Sequence, residues 1–263
     1  MLTNGIGSKS LQVNLSQAER ATSKSVQRIA SGKKIEKASD NVADSQILTS
    51  FDAKTRALTQ MMSNEQSQAS VLQSASDSLS TSANILQSLS TLTNQAANGT
   101  LTEQERTAIQ QQIEQLASQV DSTANQSQYN GRNLLDGTFS TQLQNGKRFA
   151  IDAMTANALG LNNISVATMD GAKSAMGSIQ SALNKVVSAQ GSIGSALKGI
   201  SSNISNLQNQ QMNSISAKSQ VGDVDLANEA MNMALNQIKS GAAFKAFNIG
   251  ESTRLNALNI LAE

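Results

Sequence analysis

Apolar residues recur at steps of three and four through the C-terminal half of this chain. Met176, Ile179, Leu183, Val186, Gln190, Ile193, Leu197, Ile200, Ile204 and Leu207 form one such series, broken only by Gln190. The spacing sets these side chains on one stripe of a helix, the pattern of a coiled-coil seam. A second series lies upstream. Phe51, Leu58, Leu72, Leu79 and Leu86 share one heptad position, with Glu65 as the exception, and Met61, Ala75 and Leu89 occupy the companion position. This predicts a helix over 43–97, roughly 80 Å long at 1.5 Å per residue. The chain keeps long helices towards both ends for pairing with each other.

Turn residues divide the remainder. Residues 1–10 are polar with two glycines, and read as a disordered or weakly helical start. A helical pattern runs from Leu11 through Leu15, Ala18, Val26 and Ile29 to a stop at Ser31-Gly32, and 33–42 reads as a charged connection. Asn98-Gly99 ends the long helix. Thr102 and Glu105 then form a capping-box pattern ahead of Ile109, Ile113, Leu116 and Val120, on a helix ending near Ser127. Residues 129–170 change character: Asn130-Gly131, Asp136-Gly137 and Asn145-Gly146 are turn dipeptides. Strands are expected at Thr138–Gln142, Arg148–Asp152 and Ser165–Thr168, with Asn145-Gly146 as a hairpin turn. Asp170 is expected to cap the helix that carries the first series, which runs to about Gln220. Gly222 interrupts it, and Asp223 and Asp225 start a last helix reaching nearly to Glu263. The fold class predicted is mainly α: long antiparallel helices forming a rod or coiled-coil bundle with a small β-hairpin region.

Gly177, Gly191, Gly194 and Gly199 lie inside the C-terminal series. Each costs about 1 kcal/mol relative to alanine, so this helix needs a packed partner. The glycines would also let a neighbouring helix come close.

Composition narrows the chemistry. The 263 residues include no Pro, Cys, His or Trp, and aromatics make up 2%. Without Pro, long helices run unbroken. Without His and Cys, the usual zinc ligands, the commonest general base and the usual catalytic triads are missing. The aromatic content suits a thin helical assembly better than a compact globule, because aromatics bury large areas. Net charge is +1, giving no electrostatic case for nucleic acid or an anionic membrane. No apolar run reaches the roughly 18 residues of a membrane span, and MLTNGIGSKSLQVN lacks the apolar block of a secretory signal. Asp223 and Asp225 invite a metal reading, but aspartate at a helix N-terminus is the ordinary explanation. No cofactor or metal is expected.

Several motifs together resemble one family. Arg28-Ile29-Ala30-Ser31-Gly32-Lys33-Lys34-Ile35, followed by Ala38-Ser39-Asp40-Asn41-Val42-Ala43, resembles the N-terminal signature of bacterial flagellins. Asn94–Thr100 (NQAANGT) looks like that family's turn after its long helix. Gln128–Gly137 (QYNGRNLLDG) is similar to its next motif and is the most specific match. Ala158–Leu161, Asp223–Ala227 and Asn256–Leu261 resemble its later landmarks, in family order. The chain departs at Ser67–Ser76 (SQASVLQSAS), where the family usually has a Gly-Ile-Ser-like stretch. It also lacks the Pro that many members carry in the last helix.

The resemblance implies an arrangement. Residues 1–42 and 221–263 would form a terminal coiled coil at the inner filament core, with a connecting spoke. Residues 43–220 would form a helical rod domain with a β element at about 129–170 and no outer variable domain. The subunit-interface residues expected are Leu11, Leu15, Val26 and Ile29, with Leu226, Ala230, Met233, Ile238, Phe244, Phe247, Leu255, Leu258 and Leu261 as their counterparts. For the middle series, intrachain core is the expected role. Arg28, Lys33, Lys34, Asp40, Asp44 and Asp52 form a mixed-charge zone that reads either as a solvated face or as contacts setting subunit register.

Many flagellins are recognised by a vertebrate Toll-like receptor through a patch on the middle helices. Gln87 and Leu92 keep the family identities there, while Ser88 replaces the usual Arg and Gln112 the usual Glu. Two charge-assisted contacts are lost, so weak recognition is expected.

The function implied is a structural subunit that self-assembles into an extracellular bacterial flagellar filament for motility, secreted and not an enzyme. Implied partners are further copies of itself, the flagellar export apparatus and an export chaperone, and hook-associated and cap proteins, with no nucleic acid and no membrane. The alternative is the related hook–filament junction protein, which shares the terminal-helix plan. An exported enzyme is a third reading, which the missing His and Cys and the absence of an insert disfavour.

Overall fold

The computed structural model describes residues 2–143, 146 and 148–262; the side chains of residues 2–8, 11, 254 and 257–262 are outside the described set. Helix α1 spans Leu2–Ser31, α2 Val42–Ala96 and α3 Glu103–Gln126. Strands β1 (Gln128–Tyr129), β2 (Arg132–Asn133), β3 (Ser140–Gln142) and β4 (Arg148–Ala150) follow. Then come α4 (Ala156–Leu159), α5 (Met169–Gly222) and α6 (Leu226–Ala262). The chain divides into two compact units, one of residues 1–57 with 211–263 and one of residues 58–210.

In the central unit, the two apolar series do what their spacing demands. Leu72, Leu79, Leu86 and Leu89 of α2 are fully buried. Ile179, Val186, Ile193 and Ile200 of α5 are 2% exposed or less. Between them Leu183, Leu197 and Ile204 are half-buried against the same cluster, which also takes in Ile109, Ile113 and Val120 of α3. Two departures stand out. Met61 is exposed at 40%, whereas Glu65, the polar interruption of the leucine series, has no exposed surface.

Helix ends are fixed by side chains. Thr102 and Glu105 make the reciprocal capping box at the start of α3. Arg106, buried, donates to the carbonyls of Ala96, Asn98 (2.9 Å) and Leu101 (3.5 Å), so one guanidinium serves the chain end that α2 leaves open. At α5 the cap is Thr168, whose hydroxyl accepts from the Gly171 amide at 3.0 Å; Asp170, expected in that role, lies inside the first turn.

The region after α3 holds two separate two-stranded antiparallel sheets. β1 and β2 pair around Asn130 (φ 50°) and Gly131 (φ 74°), a left-handed pair of turn residues that matches strand twist. β3 and β4 pair with Thr141 opposite Phe149. Asn145 of the expected turn lies outside the described residues. The strand expected at Ser165–Thr168 is not one. That segment is held by a side chain instead: the Gln110 amide donates to the Ile164 carbonyl at 3.0 Å and accepts from the Val166 amide at 2.9 Å.

Of the two readings of the polar start, disordered or weakly helical, the helical one holds: α1 begins at Leu2 despite Gly5 and Gly7. One further expectation fails. The glycines of α5 open no close approach: a Cβ on Gly177, Gly191, Gly194 or Gly199 would meet nothing within 4 Å. Close approach occurs at Gly222 instead, where a Cβ would lie 2.9 Å from a Leu48 methyl.

Candidate assembly interface

The terminal unit is built on α1 against α6, with the first part of α2 against the last part of α5. Helices α2 and α5 run antiparallel here, shown by Asp52 beside Lys218 and Thr55 beside Ser214. The connection 33–41 is stitched to the start of α6. The Lys34 amide donates to the Gly222 carbonyl at 2.7 Å and the Val224 amide to the Gly32 carbonyl at 3.0 Å, which pairs the backbones of Lys33 and Asp223 as an isolated antiparallel β-bridge. Asp225 caps α6, accepting from the amides of Ala227 (3.0 Å) and Asn228 (3.1 Å), which accounts for the aspartates there. Asp223 takes a bond from the Ser219 hydroxyl.

The seam between α1 and α6 mixes small and polar side chains with half-buried Leu15, Ile29, Met233 and Phe247. On α1 the positions turned from water include Ala18, Thr22 and Ser25; on α6 they include Glu229, Asn236, Ser240 and Ala243. At its centre the Ser25 hydroxyl donates to Glu229 Oε1 at 2.6 Å, and the Arg28 guanidinium lies 3.7 Å from Oε2. Glu229 is 8% exposed. Among the described residues, Ala18 and Ile35 are the hydrophobic residues of this unit that are buried.

Many of the larger apolar side chains are exposed. Val26 is 48% exposed, Leu226 55%, Ile238 68%, Phe244 55% and Leu255 55%, and Ala230 is exposed too. Leu15, Ile29, Met233 and Phe247 are half-buried. The side chains of Leu11, Leu258 and Leu261 lie outside the described residues. Val13, Met231, Leu235 and Ile249 are also exposed, and sequence reading missed them. It also missed Ser25 and Glu229, which no apolar period reveals. Apolar and polar residues are interspersed around α6, so its apolar period selects no single face.

The charged zone is partly paired. Lys24 Nζ lies 2.8 Å from Asp40 Oδ1, and Asp40 also accepts from the amides of Glu36 (3.3 Å) and Lys37 (3.2 Å). These donors, Lys24 foremost, hold the Asp40 carboxyl down at about 2. The Lys218 ammonium does the same in direction for Asp52. Asp44 takes a bond from the Asn41 amide at 2.7 Å. Lys33 and Lys34 are exposed, and Arg28 is drawn into the helix seam.

In the central unit Gln87, Ser88 and Gln112 are exposed and Leu92 is half-buried. The Ser88 hydroxyl folds back on the Asn84 carbonyl at 3.1 Å. A groove of about 590 Å³ runs between residues 149–158 and α5, with the Lys185 ammonium bonded to the Ala158 carbonyl at 2.9 Å. Among the described residues no three His, Cys, Asp or Glu side chains cluster to hold a metal, and no helix is long and apolar enough to cross a membrane.

Exposed apolar side chains stand on both terminal helices, and the regions that carry them match known family models. Residues 3–140 match the bacterial flagellin N-terminal helical region, and residues 176–261 the bacterial flagellin C-terminal helical region. The chain belongs to the bacterial flagellin family. It is 28% identical to the flagellar filament core protein flaB2 of Brachyspira hyodysenteriae, over 98% of this chain and 97% of that protein. It is 29% identical to a flagellin of Halalkalibacterium halodurans, over 89% and 88%. In fold it is similar to a chain assigned as a flagellar hook-associated protein of Vibrio parahaemolyticus (TM-score 0.60, 16% identity, 70% of this chain and all of that one). Bacillus cereus flagellin is another such neighbour (TM-score 0.50, 24% identity, 55% and 88%). The family is one of structural proteins.

Proposed function

We propose that this flagellin is the repeating subunit of an extracellular flagellar filament, and that copies pack through the outward faces of α1 and α6. The observation that carries this is the thin burial of the terminal pair. Among the described residues of the terminal unit only Ala18 and Ile35 are buried hydrophobics, and small and polar side chains share the seam with half-buried Leu15, Ile29, Met233 and Phe247, while Leu226, Ile238, Phe244 and Leu255 are exposed. Exposed apolar side chains gain stability where they are covered, and further copies of the same surface supply that cover. Lys33, Lys34, Asp40 and Asp44 then tune the lattice; surface pairs contribute about 0–1 kcal/mol each. An export apparatus and a chaperone that shields the apolar helices before assembly complete the reading, with hook-associated proteins at one end of the filament and a cap at the other.

The test is electron microscopy of purified protein with short filament seeds under salting-out conditions. Long tubes growing from the seeds support the reading. Protein bound only at seed ends points to a junction role. Seeds left bare would refute self-assembly.

A further inference from the structure

On α2 the leucines Leu58, Leu72, Leu79 and Leu86 repeat at multiples of seven. Sliding α2 along α5 by one heptad, about 10 Å, therefore sets leucine where leucine stood. An apolar seam of this kind does not choose among such alignments by itself. Glu65 stands in the leucine series and is fully buried. One carboxylate oxygen accepts from Asn203 Nδ2 at 3.4 Å, and the other has no partner among the described residues. A carboxylate so placed is costly beside a leucine, so seam stability does not account for it.

Alignment does account for it. The helices are antiparallel, with Glu65 opposite Asn203. A one-heptad slip in one direction sets Asn203 against Leu72, stranding its amide, while Glu65 moves opposite Gln210. The opposite slip sets Asn203 against Leu58 and Glu65 against Ala196, where both polar groups lose their partner. We propose that Glu65 and Asn203 are a register pin that excludes heptad-shifted pairings of α2 with α5, as a single polar seam position does in coiled coils. The other buried polar side chains of α2 cannot discriminate this way: Ser82 bonds its own helix at the Ser78 carbonyl, and Thr93 Oγ1 has no partner among the described residues.

The chain has no cysteine, so S80C and S202C are uniquely labelled with nitroxides. Both positions are exposed, and Ser80 lies two heptads along α2 from the residue facing Ser202. Pulsed electron paramagnetic resonance on the full-length monomer reads the distance. The labelled parent is expected to give one distance, and E65Q, which keeps a hydrogen bond to Asn203, the same one. N203L and E65L/N203L are expected to add a second population displaced by about 10 Å. Retention of the parent distance alone in both leucine variants overturns the proposal. So does a double variant that fails to fold, because a pin sets alignment while leucine preserves burial.

Discussion

Replacing Ile238 with alanine separates a residue that stabilises the subunit from one that stabilises the polymer. In the subunit Ile238 is 68% exposed, so truncating it removes little buried surface. Isoleucine exceeds alanine by three carbons, worth about 2.4 kcal/mol when fully withdrawn from water at roughly 0.8 kcal/mol each. About two thirds of that remains to be gained when a neighbouring copy covers the site, so each subunit entering the lattice forfeits about 1.6 kcal/mol. At 1.4 kcal/mol per factor of ten, the monomer concentration in equilibrium with filaments rises roughly 10- to 15-fold.

The assay is sedimentation of seeded polymer, with the residual monomer measured in the supernatant, beside thermal unfolding of the monomer. The expected pair of results is a clear rise in critical concentration and an unfolding midpoint that hardly moves. An unchanged critical concentration would refute the argument, since Ile238 would then face solvent in the filament as well. A lowered midpoint at unchanged critical concentration would place its role within the subunit.

Acid should loosen the terminal unit by a definite route. The Asp40 carboxyl is held at about 2 in the fold against an ordinary value of 3.8, so its contribution is present above about pH 4 and is lost as pH falls through 2. Asp52 shifts in the same direction. D40N should flatten the acid limb of the stability profile, and NMR titration of Asp40 at an ordinary carboxylate value would contradict it. In the central unit, R106A strips three carbonyls of their donor. It should cost roughly 2–4 kcal/mol, read as a drop of roughly 5–15 °C in the unfolding midpoint; a neutral variant would mean water serves the end of α2 equally well. Pure monomer should activate cells bearing the flagellin-recognising receptor weakly, with S88R/Q112E raising the response; robust activation by the parent chain would contradict the loss of those two charges.

What the sequence disclosed depended on whether the deciding interaction was periodic. Leu72, Leu79 and Leu86 announced α2, and Ile179, Ile193 and Ile200 announced α5, because each buries a single stripe. Thr102 and Glu105 announced the start of α3 because a capping box is local. The extended segment at 165–168 looked like a strand because its composition is strand-like, but its partner is the Gln110 side chain, more than fifty residues away in sequence. Glu65 was visible as an anomaly, and only the fold placed Asn203 opposite it. The terminal interface was half legible: the residues chosen on α6 were apolar, as a buried face requires, but period alone could not assign them to a face of their own chain or to a neighbour.

That ambiguity has a physical root that bears on how the subunit works. The central unit has a leucine- and isoleucine-rich cluster of its own, whereas the buried hydrophobic side chains described in the terminal unit are Ala18 and Ile35. A seam in which Ala18, Thr22 and Ser25 face Asn236, Ser240 and Ala243, and in which Leu15, Ile29, Met233 and Phe247 are only half-buried, withdraws limited apolar area, and backbone ordering costs about 1–2 kcal/mol per residue. Helix pairs of that kind are marginal alone. On the filament reading the missing stability comes from other copies, so the order of α1 and α6 rises with assembly, and assembly in turn requires that order. A seam rich in large side chains would fold the pair before export and leave less apolar surface for the lattice. On that reading, few fully buried apolar side chains inside, with Leu226, Ile238, Phe244 and Leu255 exposed outside, keep the decisive burial for the step at which subunits meet.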